Sequence, residues 1–339
     1  MVDVKISIGS HGENLSFNNF YDINNSKLKN YKFHVNKEIE KADFWFVLED
    51  LPSNTENCKV PKNNVIYLNN ETSFRKDYFF QPFMQKYLEQ FQEVHSCYLS
   101  SHKQIKNSMP FLPWMIHANH GDIIFDKTSY NFQYFQELNK LEKKKQISVI
   151  CSSKIQTENH FLRVEFLKIL KSHFGSQLDW YGNGVNEIQR KHEGILDYKY
   201  HIVLENESRN NLISEKIFDS MLGLSVPIYY GAPNISEYFN KNSLYTIDIN
   251  NAAKSIEVIQ NIINNDPYQQ TLNYLIESKN KVLTQYNFVN RMINIIENSK
   301  QDVGESFVYS LNSSKYFWTK YTSKKVKIKR QIKRKLRIN

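Results

Sequence analysis

Between Tyr198 and Pro233 the chain reads YKYHIVLENESRNNLISEKIFDSMLGLSVPIYYGAP, and this stretch restricts the fold more than any other. HIVLE is a short apolar run rich in branched residues, the pattern of a strand buried on both faces of a parallel sheet. A polar loop follows, and Ser214 is placed to cap a helix whose apolar positions Ile217, Met221, Leu222 and Leu224 share one side. Gly223 closes that helix, VPIYY returns as a strand, and a Gly-x-Pro turn ends the unit. A parallel β-α-β unit binds ligands at the carboxyl ends of its strands and at its helix N-termini. Here those places hold Glu205, Asn206, Arg209, Ser214, Glu215 and Lys216, more charge than a connection requires.

The rest of the chain fits the same class. Strands are expected at VKISI, ADFWFVLED and NNVIYLNN, with a helix around PFMQKYLEQF. The charged segment ELNKLEKKKQ reads as a hinge or linker. From Ile147 strand and helix alternate to about residue 298, through ISVICSS, HFLRVEFLKILKSHF, LDWYG and SLYTIDI. Such alternation predicts parallel sheets covered by helices. We therefore expect an α/β fold of two Rossmann-like domains facing a cleft. Residues 1–143 would form the first domain, 144–300 the second and 301–339 a basic tail.

Composition narrows the function. With 40% hydrophobic and 23% charged residues the chain is globular rather than disordered. No apolar run reaches the roughly 18 to 20 residues of a spanning helix, and MVDVKISIGS has no apolar signal core. Cys58, Cys97 and Cys151 are scattered without metal spacing and read as reduced thiols of a cytosolic protein. Eleven of the 44 Lys and Arg residues lie after Glu305, where no Asp or Glu occurs. The remaining 33 basic residues face 35 acidic ones, so the body is near neutral and offers no second basic surface for nucleic acid. In the tail, Ile328, Ile332 and Leu336 fall on one helical face among Lys and Arg, the pattern of an interfacial helix on an anionic leaflet. Gly182-Asn183-Gly184 starts a dinucleotide fingerprint but lacks its third glycine, and Walker A, HExxH, G-x-S-x-G and D-x-D motifs are absent.

Leu204-Glu205-Asn206, Ile213-Ser214-Glu215-Lys216, Val226-Pro227-Ile228 and Gly231-Ala232-Pro233, in this order and spacing, resemble the signature of the family 10 α-1,3-fucosyltransferases of bacterial type. Leu212 stands where members often carry an aromatic residue. The resemblance implies the GT-B architecture and inverting transfer of fucose from GDP-fucose to a glycan or lipid-linked glycan, as in lipopolysaccharide synthesis. No cofactor would be required, and a divalent cation would at most stimulate turnover. Without a metal, cationic side chains and helix N-termini must stabilise the leaving diphosphate.

By that resemblance Lys216 meets the diphosphate, Glu215 accepts from the ribose hydroxyls and Arg163 grips phosphate oxygens. Glu205, Asn206 and Ser214 complete the donor set, with Ser152, Ser153 and Lys154 on a neighbouring loop. The general base is expected at Glu71, after the strand NNVIYLNN, with Asn70 where the family has Gly. Glu49 and Asp50 form the other acidic candidate. Trp114 either stacks on a sugar or wedges the domain interface, and His117 with His120 have metal-like spacing that nothing else supports. Basic tails also end similar bacterial members, which places the protein in the cytoplasm on the inner face of the membrane. A transferase of the same fold using another nucleotide sugar, and a degenerate glycan-binding scaffold, are the competing readings.

Overall fold

The computed structural model describes residues 1–9, 17–22, 24–69, 79–98, 104–117, 130–299 and 305–322. Its strands are β1 (Val2–Ile8), β2 (Tyr31–Val35), β3 (Phe44–Leu48), β4 (Thr55–Pro61), β5 (Val65–Leu68), β6 (Glu93–Ser96), β7 (Ile105–Asn107), β8 (Lys145–Ile150), β9 (Leu178–Tyr181), β10 (Tyr198–Leu204), β11 (Val226–Tyr230), β12 (Tyr245–Thr246) and β13 (Ser306–Asn312). The helices that matter below are α1 (Pro82–Leu88), α2 (Phe132–Glu137), α3 (Glu158–Phe174), α4 (Glu215–Leu222), α5 (Ala252–Asn265), α6 (Tyr268–Lys281), α7 (Phe288–Asn298) and α8 (Ser314–Tyr321).

Two parallel sheets organise the chain, the α/β architecture expected from the sequence. The first has the order β2-β1-β3-β5-β6-β7 and the second β12-β11-β10-β8-β9. β10 is central in the second, with Ile202 opposite Val149 on one side and Ile228 on the other. Its residues from Tyr200 to Leu204 are all buried, which is why the strand reads as an unbroken apolar run. The expected strand SLYTIDI shrinks to Tyr245–Thr246, because only Ile228 and Tyr229 of β11 offer it a ladder.

The connecting segments are more constrained than a hinge. Trp114 is buried against Phe20 and Phe135, with ring centroids 4.9 and 6.1 Å away, so it is a wedge rather than a sugar platform. Lys143 donates to the carbonyls of Leu196 and Gly223 at 2.8 and 2.6 Å, pinning the charged linker onto the end of α4. Burial holds its ammonium down, to about 7. Arg291 of α7 donates to the carbonyls of Pro110 and Met109, both at 2.7 Å, and lies 3.6 Å over the Phe111 ring.

The proposed tail boundary at 301 needs correction. β13 pairs antiparallel with β4 from Ser306↔Pro61 to Asn312↔Thr55, and α8 packs on α1. Leu311 and Phe317 are buried there, so residues 306–321 belong to the first unit. The charge count concealed this, because a two-stranded ladder needs only a few inward apolar residues. The amphipathic stretch around Ile328, Ile332 and Leu336 lies outside the described residues.

Candidate functional site

The site forms at the carboxyl edge of the second sheet, where β8, β10 and β11 give way to loops. β10 hands over directly to Glu205, whose backbone N–H donates to the Tyr230 carbonyl at 2.8 Å. The Glu205 carboxylate is fully buried, and Ser214 satisfies it. The Ser214 backbone N–H lies 2.8 Å from Oε1, and its hydroxyl lies 2.8 and 2.7 Å from the two oxygens. Lys216 Nζ completes the neutralisation, 3.3 Å from Glu205 Oε2 and 3.0 Å from Ser214 Oγ. A lysine in the first turn of a helix opposes the dipole, and the buried carboxylate beneath it offsets that cost. Glu205 and Ser214, which the sequence reading placed in the donor set, are turned toward each other and toward Lys216. They hold Lys216 from behind, because a buried carboxylate must be paired before anything else.

The close turn that returns the chain explains Gly231. A Cβ there would lie 2.2 Å from Tyr229 Oη and 2.6 Å from Glu205 Cγ, so only glycine lets the Gly-Ala-Pro turn pass. Tyr229 is buried and its hydroxyl accepts from Ala232 N at 2.8 Å. Leu212 is buried in the apolar cluster that contains Trp45, Tyr67 and Tyr98 of the first unit. It packs the loop across the two units.

Arg163 comes from α3, whose N-terminus is capped by Thr157. It is 9% exposed, and its Nη1 donates to the Leu204 carbonyl at 3.2 Å. Its Nε is buried with no hydrogen-bond partner among the described residues. Arg163 and Lys216 are thus anchored on the consecutive residues Leu204 and Glu205. Their shared field is visible on their neighbours. His160 is pushed down to about 4, by burial first and then by Arg163, Lys154 and Lys216. Burial raises the Cys151 thiol, and the same Arg163 and Lys216 oppose it. Arg163 and Lys216 therefore meet at one point of the sheet edge, a geometry suited to a phosphate group.

Glu215 lies beside them. Burial raises its carboxyl, but Lys216 and Lys191 outweigh burial and hold it at about 2. Lys191 Nζ is 3.4 Å from Glu215 Oε1 and 3.0 Å from Asp219 Oδ2. The sequence reading overlooked Lys191 and Asp219. Asp219 follows Glu215 by one helical turn, a signal that periodicity could have supplied, whereas nothing local marks Lys191. Asn206 is half-buried at the end of β10. Arg209 forks onto Glu207 Oε1 at 3.1 and 2.9 Å and lies 5.1 Å over the Tyr98 ring.

The loop with Ser152, Ser153 and Lys154 abuts the Gly182-Asn183-Gly184 turn. Ser153 N donates to the Asn183 carbonyl at 3.0 Å, and a Cβ on Gly182 would lie 2.5 Å from Cys151 O. Gly182 thus lets one backbone lie against another and Gly184 leaves room for the Ser153 side chain, without the rest of a dinucleotide fingerprint.

On the acceptor side the expected base, Glu71, lies outside the described residues, as does His120. Asp50 is committed to structure: its Oδ1 accepts from Ser314 N at 2.8 Å and its Oδ2 from the Ser314 hydroxyl, at the first residue of α8. Glu49 ends β3 in a left-handed conformation (φ 65°) and accepts from Asn69 Nδ2 at 3.1 Å. Among the described residues no group of three or more His, Cys, Asp or Glu is placed to hold a metal, and no helix is long and apolar enough to cross a membrane. The three cysteines are buried and unpaired by disulfide.

Residues 141–292 match the family model described as glycosyltransferase family 10 (fucosyltransferase), C-terminal part. The chain is 30% identical over 74 residues to the α-(1,3)-fucosyltransferase FucT of Helicobacter pylori, covering 22% of this chain and 16% of that protein. It is 27% identical over 165 residues to the putative fucosyltransferase R654 of Acanthamoeba polyphaga mimivirus, covering 45% of this chain and 25% of that one. The matches thus span a quarter or less of these curated relatives. A solved α1,3-fucosyltransferase with GDP-fucose superposes with a TM-score of 0.48 at 17% identity, over 80% of this chain and 81% of the other.

Proposed function

The chain belongs to glycosyltransferase family 10, and on that premise we propose that it transfers fucose from GDP-fucose to a glycan or lipid-linked glycan hydroxyl with inversion. The observation that carries the reading is the meeting of Arg163 and Lys216 on consecutive residues at the sheet edge, beside the N-terminus of α4. Arg163, Lys216 and Lys154 would take the diphosphate, and Glu215 the ribose hydroxyls. As the acceptor oxygen attacks the anomeric carbon, its proton passes to Glu71. The bond to the diphosphate breaks on the opposite face, and GDP leaves with that electron pair. The cations stabilise the charge that develops on it, so no metal is required, although a divalent ion would speed product release by shielding the diphosphate. The protein would work in the cytoplasm, bound peripherally to the inner membrane face through its basic C-terminal tail, and have no nucleic-acid partner.

Thermal stabilisation by nucleotides tests the donor. GDP should stabilise the protein more than UDP or CMP, and Lys216→Ala and Arg163→Ala should each weaken GDP binding by about 1.5–3 kcal/mol. Glu71→Gln should lower turnover by roughly 10²–10⁴ and spare GDP binding. Equal stabilisation by UDP would refute the fucosyl reading. A product with retained anomeric configuration would refute inversion.

A further inference from the structure

Two acidic residues one helical turn apart, Glu215 and Asp219, face a single lysine from a different part of the chain. Lys191 sits in the short 3-10 helix Lys191–Gly194, and its side chain is 21% exposed. Side by side, the two carboxylates would repel each other, and Lys191 Nζ bridges them at 3.4 and 3.0 Å. Asp219, whose side chain is 2% exposed, is already spent: Oδ2 holds Lys191 and Oδ1 accepts from Met115 N at 2.7 Å. Asp219 therefore anchors, Lys191 relays, and Glu215 is the more exposed end of the row. Glu215 Oε1 is shared between Lys191 and Lys216, the latter 3.8 Å away.

We propose that Lys191, held by Asp219, is a positioning residue that aims the Glu215 carboxylate at the ribose hydroxyls of the donor nucleotide. This rests on the donor reading above and adds residues outside the motif that carries it. Without Lys191, Glu215 would be drawn to Lys216 and would turn from the ribose toward the phosphate cations. Lys216 would then be shielded from the diphosphate by a second carboxylate. The Met115 contact also ties this row to the segment that holds Trp114 against the first unit.

The test compares the affinities of GDP and 2′,3′-dideoxy-GDP for the full-length protein by calorimetry. A charge-assisted hydrogen bond to the ribose should make the wild-type protein prefer GDP by about tenfold or more. Lys191→Met should abolish most of that preference, whereas Lys191→Arg, which keeps the charge, should preserve it. Asp219→Asn should reduce the preference in the same direction and serves as the second variant if Lys191→Met does not fold. Lys216→Ala should weaken both ligands together. A Lys191→Met protein that keeps the preference, or loses both ligands equally, would overturn the positioning role, as would a wild-type protein indifferent to the ribose hydroxyls. A wild-type protein that binds neither ligand would refute the donor reading itself, and the positioning role with it.

Discussion

Replacing Gly182 by alanine should damage the protein far more than the same change at Gly175, although both glycines have positive φ, 143° and 54°. At Gly175 (φ 54°, ψ −123°) a new Cβ meets nothing within 4 Å, so the variant bears only the strain of a sparsely populated backbone region, about 1–2 kcal/mol. At Gly182 the Cβ would lie 2.5 Å from Cys151 O, 2.6 Å from Cys151 C and 2.8 Å from Ser152 N. All three are backbone atoms at the end of β8, so no side chain can swing away. Relief requires β8 and β9 to separate, straining the bonds from Cys151 N to the Tyr181 carbonyl at 2.8 Å and from Trp180 Nε1 to the Cys151 carbonyl at 2.7 Å. Overpacking adds about 1–3 kcal/mol and a weakened buried hydrogen bond about 1 kcal/mol or more. The expected total is therefore about 3–6 kcal/mol, a large share of a typical stability of about 5–15 kcal/mol. Urea denaturation of both variants, with unchanged m-values, measures the difference. Midpoints that place the two within about 0.5 kcal/mol of each other would refute the backbone-contact argument.

Leu212→Ala should cost about 2–5 kcal/mol in the same assay, because the side chain is fully buried between the loop and the first unit. His160 should remain neutral down to about pH 4 in an NMR titration. Its folded pKa lies below the ordinary His value, so between about pH 6.5 and 4 the unfolded chain binds more protons and this group increasingly destabilises the fold as the pH is lowered. GDP should raise that pKa by adding negative charge, and an unmoved His160 would place the nucleotide elsewhere. Truncation after Thr322 should release the protein from anionic vesicles and spare its stability. A cut after Glu305 should also destabilise it, since β13 and α8 bury Leu311 and Phe317 against the first unit. Equal vesicle binding with and without the tail would end the membrane proposal.

Much of the second sheet was legible in the sequence for a local reason. The apolar run of β10, the Ser214 cap and the 3.6-residue periodicity of α4 all act within a few residues of one another. The same locality brought Glu215 and Lys216 to notice, since both lie in the first turn of a helix after a strand, and the family resemblance added Arg163. What each of them touches was decided by the fold. Burial made Glu205 the counter-charge of Lys216, and packing against the first unit fixed the place of Leu212. Lys191 reaches Glu215 and Asp219 from 24 and 28 residues away, and β13 pairs with a strand about 250 residues earlier. No pattern within a short window encodes such partners, because their energy comes from desolvation and close packing that exist only once the chain has closed on itself.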